Sequence, residues 1–288
     1  MNAAGCNVSA IISRNIFSAK ELAEKYNIPV FTDSVEAAAK AGLVIFSVPD
    51  GEIKSVAKNI SSLKINFSRK IFIHLSGSLN SGELNSIEKK GGLTASMHII
   101  QTFPAREAVA IAGCRASVES KSPDAIRILK KLAFRLGLSP FVISSGTKSL
   151  YHTAAVFSSN FLSGNSFAAE QLLELSDIDE RGSEIFLPLT AATLSNIINK
   201  GSVNSLSGPI ERNDLKTIKS HIYAFVKKTG KEESIERYIY LSYLAQSLLL
   251  TQLREIKTGE PSLPEIKNRL VTELEKTVIS LKFNKENK

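Results

Sequence analysis

Short apolar runs alternate with helix-periodic stretches through the first half of the chain, and the second half is helix-periodic throughout. Leu43–Val48 is apolar and β-branched without alternation, the pattern of a strand buried on both faces. Asn7–Asn15, Val30–Thr32, Lys70–Leu75, Thr94–Met97, Arg115–Val118 and Pro140–Ile143 read as further strands. Between them Ser18–Tyr26, Ser34–Lys40, Gly51–Ile60, Leu79–Lys90 and Ser122–Leu136 predict helices. Ser34 is placed to cap the second of these, and Gly91–Gly92 to stop the fourth. Such alternation predicts an α/β domain built on a parallel sheet, residues 1–146. After Gly146 the pattern changes. Thr147–Leu175, Glu184–Asn199, Ile210–Lys228, Ser234–Lys257 and Pro264–Leu281 predict an all-α domain, residues 147–288, broken by Gly, Pro and Asp clusters. With no low-complexity linker, the halves are expected to join tightly around a cleft.

Composition narrows the class. A chain of 288 residues has room for about two domains. With 43% apolar and 22% charged residues it can bury a packed core, and wholesale disorder is not expected. No apolar run approaches the roughly 20 residues that span a bilayer; Leu241–Leu253 carries Ser and Gln and reads as a core helix. The amino end lacks a basic start followed by an apolar stretch, so a secretory leader is not expected. Cys6 and Cys114 lack metal-type spacing, as suits two inert thiols in a reducing cytoplasm. The net charge of +8 is spread in pairs such as Lys89–Lys90, Lys130–Lys131 and Lys227–Lys228. A nucleic-acid footprint should cluster, so neither nucleic acid nor membrane is expected as a partner.

Candidate chemistry collects at strand ends. Arg14, with Ser13, follows the Asn7–Asn15 run. A planar guanidinium there suits a 2′-phosphate, where Asp or Glu would suit a bare ribose; in isolation Arg14 reads equally as a solvated arginine. Ser47-Val48-Pro49-Asp50 and His74-Leu75-Ser76-Gly77-Ser78 end two further strands, where ligands bind in open α/β sheets; the second also reads as a turn with helix caps. His98 ends another strand, with Gln101 and Thr102 close behind, and could exchange a proton with a bound carbonyl or alcohol, although a lone histidine is more often structural. Thr147–Phe161 is the strongest local signal. At about 100° per residue, Lys148, His152 and Ser159 fall within about 40° of one another, with Tyr151 and Asn160 on the flanks. That face holds His, Ser, Asn and Tyr where a solvated one would carry Glu and Lys. Thr190, Thr193 and Asn196, and then Ser207-Gly208-Pro209 with Arg212 and Asp214, are placed to complete a polar site, although capping accounts for Ser207–Pro209 equally well.

Taken in order, H-L-S-G-S-L, H-x-x-Q-T-F-P, K-x-L-Y-H-x-A-A-V-F-x-S-N, L-P-L-x-x-A-T-L-x-N and S-G-P-I-x-R-x-D resemble one family. It is the Rossmann-like proteins carrying the domain of unknown function 2520, relatives of the 6-phosphogluconate and ketopantoate dehydrogenases. The resemblance runs from Asn7 to near the carboxyl end. It implies an NADP-binding Rossmann-like domain, then a helical domain that makes a homodimer, with a small-molecule substrate between them. Asn7–Asn15 would be the second Rossmann strand and Leu43–Asp50 the fourth, so the first strand and its G-x-G-x-x-G turn are expected to lie before Met1. On this reading Ser13, Arg14, Ser47, Val48, Pro49 and Ser76 border the cofactor. His98, Lys148 and His152 transfer protons, and Asn160 orients the substrate. The motifs match neither the hydroxyacid dehydrogenases nor the prephenate dehydrogenases in full. The expected activity is NADP-dependent hydride transfer to or from a small polar substrate. The alternative is a non-catalytic dimerising protein with a degraded nucleotide-binding domain.

Overall fold

The computed structural model describes residues 4–28, 34–105, 107–178, 180–228 and 234–286. The expected strand Val30–Thr32 lies outside them. Two compact units divide the chain, Met1–Phe161 and Leu162–Lys288.

The first unit is built on five strands: β1 (Leu43–Phe46), β2 (Ile71–His74), β3 (Leu93–Ile99), β4 (Arg115–Glu119) and β5 (Ser139–Val142). They lie side by side in chain order. β1, β2 and β3 run parallel, with Phe46 opposite His74 and His74 opposite Ser96. β4 turns back antiparallel, placing Ser117 opposite His98 and Glu119 opposite Ser96, and β5 runs parallel to β4. The reversal follows from the connection. The described residues between Ile99 and Arg115 contain no helix, and a parallel return needs a crossover of a dozen or more residues, usually helical.

Asn7–Asn15 is not a strand. Among the described residues it contributes a single bridge at Ile11. Local side chains end it early: the Ser13 hydroxyl accepts from the Asn15 amide, and Asn15 Oδ1 accepts from the amides of Phe17 and Ser18. Asn15 is therefore the N-cap of α1 (Ile16–Tyr26), which stops at Asn27 in the left-handed conformation. α2 (Ser34–Lys40), α3 (Asp50–Ser61) and α5 (Pro123–Arg135) form as their periodicity predicts. Leu79–Lys90 instead splits into a 3-10 turn, Ser81–Leu84, and a short α4 (Asn85–Glu88), because Asn80 caps the turn through the Gly82 amide.

The sheet buries both faces. Ile71 and Ile73 of β2, with Ala95, Met97, Ala116 and Val118, pack on Ala125, Leu129 and Ala133 of α5. Phe72 points the other way, with Phe46, onto Ile53, Ala57 and Ile60 of α3 and Ile87 of α4. α6 (Lys148–Ser158) completes this unit and ends at Ser159, whose φ −128, ψ −66 leaves the helical path.

α7 (Asn160–Glu174) then starts the helical run. The second unit contains α8 (Gly182–Asn204), α9 (Leu215–Lys228), α10 (Ile235–Thr258) and α11 (Pro264–Glu286). Its core joins Ile218, Ile222 and Phe225 to Ile239, Tyr240, Leu244, Ile266 and Leu270.

Candidate active site

The densest polar arrangement of the first unit surrounds the turn after β2. His74 is fully buried at the strand's end. Its Nε2 lies 3.0 Å from the Asn80 carbonyl, which can only accept, so Nε2 carries the proton. Nδ1 then accepts from the Ser76 amide at 3.3 Å. Burial is the main reason that the His74 pKa lies below the usual histidine range, so this neutral tautomer is the stable one. Ser76 Oγ accepts from the amides of Ser78 and Leu79 and donates to Asp50 Oδ2 at 2.7 Å; the Ser78 hydroxyl donates to the same oxygen at 3.1 Å. Asp50 is the first residue of α3, so two elements are tied at one carboxylate.

Lys148 pins the turn from the other side. Its side chain is 1% exposed. Nζ donates to the Ser76 carbonyl at 2.8 Å and to Ser96 Oγ at 2.9 Å. Ser96 in turn donates to Glu119 Oε2 at 3.1 Å. Glu119 also accepts from the Ser81 amide, the Ser81 hydroxyl and the Ser145 hydroxyl. Burial alone would raise the Glu119 pKa, but these hydrogen bonds outweigh it and hold the carboxyl below the usual range. Burial lowers the Lys148 pKa to about 8, with the charges of Glu119 and Asp50 acting against it. Lysine and glutamate are thus a buried charge pair joined through one serine hydroxyl.

His98 stands one layer outward, near the end of β3. Its Nδ1 lies 2.8 Å from the Tyr151 hydroxyl, and the rings meet edge to face. Phe141 of β5 also meets the Tyr151 ring edge to face. The His152 ring centre is 6.0 Å from that of His98. Gly77 lies against both imidazoles: a Cβ there would meet His152 Cδ2 at 2.4 Å and His98 Nε2 at 3.0 Å. Burial, with the charge of Lys148 next, depresses the His98 pKa to about 4. At neutral pH His98 is a free base beside a phenol whose own pKa burial has raised. Such a pair can take a proton from a bound group or relay one to it.

The structure therefore brings His98, Lys148, His152 and Ser76 together, with Tyr151 one turn along α6 from Lys148. Asn160 is exposed at the start of α7, beyond the break at Ser159, which takes both residues off the continuous face that a single helix would give. Ser47 is exposed just after β1, Val48 is half-buried on the α3 side, and Pro49 is the N-cap of α3. Arg14 is 83% exposed and lies 3.6 Å from Glu52 in the first turn of α3. Asp214 caps α9 through the Thr217 amide and hydroxyl. Sequence reasoning missed Glu119, Ser96, Ser81 and Ser145. The available signal was an acidic residue ending a strand that Ala116 and Val118 mark as buried, which is unusual unless something pairs with it. Among the described residues, no group of three or more His, Cys, Asp or Glu side chains could hold a metal ion, and no helix is long and apolar enough to cross a membrane.

Comparison with known proteins agrees with the motifs. Residues 1–99 match the family model of a Rossmann-like domain, and residues 114–243 that of the domain of unknown function DUF2520. No curated protein matches the chain in sequence. Among solved structures it is similar to protein TM1727 from Thermotoga maritima, at 26% identity and a TM-score of 0.59, covering 90% of each chain. It is also similar to BF3122 from Bacteroides fragilis, described as an NADP oxidoreductase, at 22% identity and a TM-score of 0.65, covering 90% of this chain and 91% of that one. A reductive aminase from Aspergillus terreus, in complex with NADPH and ethyl levulinate, has the same fold at 14% identity and a TM-score of 0.61, covering 92% of this chain and 89% of that one. The resemblance read from five motifs is borne out by the two family matches.

Proposed function

We propose, from a chain that joins stretches matching the Rossmann-like and DUF2520 families, an NADP-dependent oxidoreductase acting on a small polar carbonyl, alcohol or imine. The observation that carries this reading is the neutral His98, paired with Tyr151 and packed on the Gly77 backbone at the carboxyl ends of three parallel strands. Open α/β sheets bind ligands at that edge.

The chain's own groups fit a phosphorylated dinucleotide. α3 has no side-chain cap, which suits a ligand at its amino end although the Glu52 amide already donates to the Pro49 carbonyl, and the exposed Arg14 guanidinium stands beside that helix end. Arg14, with Ser13, would hold the 2′-phosphate, while Ser47, Val48, Pro49 and Ser76 would border the ribose and nicotinamide. When bound, NADP(H) supplies the hydride chemistry. His98 exchanges the accompanying proton, with Lys148 and His152 as the neighbouring proton-handling groups. Asn160 is assigned to orient the substrate. Two free thiols, Cys6 and Cys114, fit a reducing, cytoplasmic setting.

The helical unit makes a homodimer in this reading. Its support is an apolar stripe on α8: Leu187, Leu194 and Ile198 share one helical face and are 66%, 41% and 81% exposed.

The test is a fluorescence titration with NADPH and NADH, followed by a turnover screen against ketoacids and imines. Tight NADPH binding, weakened about tenfold by Arg14→Ala with NADH binding unchanged, is the expected result for a guanidinium–phosphate contact. A protein that neither binds NADPH nor oxidises it with any substrate would overturn the reading and favour the non-catalytic dimer.

A further inference from the structure

We propose that Glu119 is a positioning residue: acting through Ser96, it keeps Lys148 charged, and Lys148 in turn fixes the Ser76–Gly77–Ser78 turn against His98 and His152.

The argument starts from burial. Glu119 and Lys148 are each 1% exposed, and an ammonium group there is strongly disfavoured without a counter-charge. Ser96 bridges them, accepting from Lys148 Nζ at 2.9 Å and donating to Glu119 Oε2 at 3.1 Å. The remaining Lys148 contact is the Ser76 carbonyl at 2.8 Å. A neutral amine would still donate there, but more weakly, because charge-assisted bonds are about twice as strong. The same turn sets Gly77 against the two imidazoles. A carboxylate on β4 thus reaches the proton-handling groups through a hydroxyl, an ammonium and a main-chain carbonyl. The other charged or titratable groups facing Lys148 are Asp50 at the start of α3, His74 at the end of β2, and His98 on β3. His152 lies one turn along its own helix. Of these, Glu119 and Asp50 favour the ammonium, with Glu119 the stronger.

The inference rests on the oxidoreductase reading for its consequence in turnover, so its test is made without cofactor or substrate. Carbon-13 NMR of the lysine Cε signals in the full chain follows the protonation of Lys148, and amide signals of Gly77 and Ser78 follow the turn. In the wild type, Lys148 should titrate near pH 8, with the turn amides moving at the same pH. Glu119→Gln should lower that midpoint by about one pH unit or more, the size expected for losing a nearby opposite charge. If Glu119→Gln does not fold, Ser96→Ala keeps both charges and breaks only the bridge, and a smaller fall is expected. A midpoint unmoved in the folded variant, or turn amides that ignore the Lys148 titration, would overturn the proposal. NADPH binding by the wild type is read separately, so loss of the oxidoreductase reading would leave this result standing.

Discussion

Gly77 has no side chain because two rings occupy the space one would take. A methyl group there meets His152 Cδ2 at 2.4 Å and His98 at 3.0 Å. The clashing atoms are ring tips rather than backbone, so Gly77→Ala should displace the imidazoles and leave the fold in place. The expected cost is about 1 kcal/mol, the low end for overpacking, with the His98 and His152 ring signals shifted in the NMR spectrum. His98 carries a second prediction. The unfolded chain binds its proton near pH 6.5, whereas the folded chain holds that histidine at about 4. Over that interval the unfolded state binds more protons, so stability falls as pH falls from about 6.5 towards 4. His74 is shifted the same way. Urea midpoints measured at about pH 7 and about pH 5 should therefore drop in the wild type and drop less in His98→Asn. If His98 handles the proton in turnover, the same variant should lose about 10²–10⁴-fold in kcat while its NADPH affinity stays within about twofold.

At the scale of elements, most of the first unit was legible. Apolar, β-branched runs such as Leu43–Phe46 and Ile71–Ile73 announce strands whatever their partners, and Ser122–Leu136 announces α5 by its Ser cap and its period. What stayed hidden was pairing. Strand direction is set by the connection, and nothing in Arg115–Glu119 states that it runs antiparallel to β3. Asn7–Asn15 has strand composition, yet Ser13 and Asn15 offer the backbone side-chain partners that start a helix. The site was legible where residues share one helix face, as Lys148, Tyr151 and His152 do. It was not where the partners come from different elements: Ser96, Ser81 and Ser145 look like ordinary strand and turn serines until Glu119 collects them. The cap on α1 gives a test at this scale. Asn15→Ala should destabilise the protein by about 1 kcal/mol in denaturant unfolding, because it strands two amides. It should also weaken NADPH binding, since Arg14 is placed by the same turn.

At the scale of the whole molecule, the second unit has more apolar surface than its own core uses. Leu187, Leu194 and Ile198 recur about two turns and then one turn apart on α8, and exposures of 66%, 41% and 81% are large for such residues on a helix face. Exposed apolar residues gathered on one helix face mark an interaction surface. On the homodimer proposed above, a second copy of the chain would cover this stripe, because a two-fold axis lets one helix face meet itself and closes the assembly. A charge within that contact would be buried without a partner, which costs several kcal/mol and is enough to break a micromolar dimer. Ile198→Glu should therefore convert a dimer into a folded monomer in sedimentation equilibrium at micromolar concentration. Ile218, fully buried in this unit's own core, provides the contrast: Ile218→Glu should unfold the helical unit. A wild-type protein that sediments as a monomer would remove the dimer and leave α8 facing some other partner.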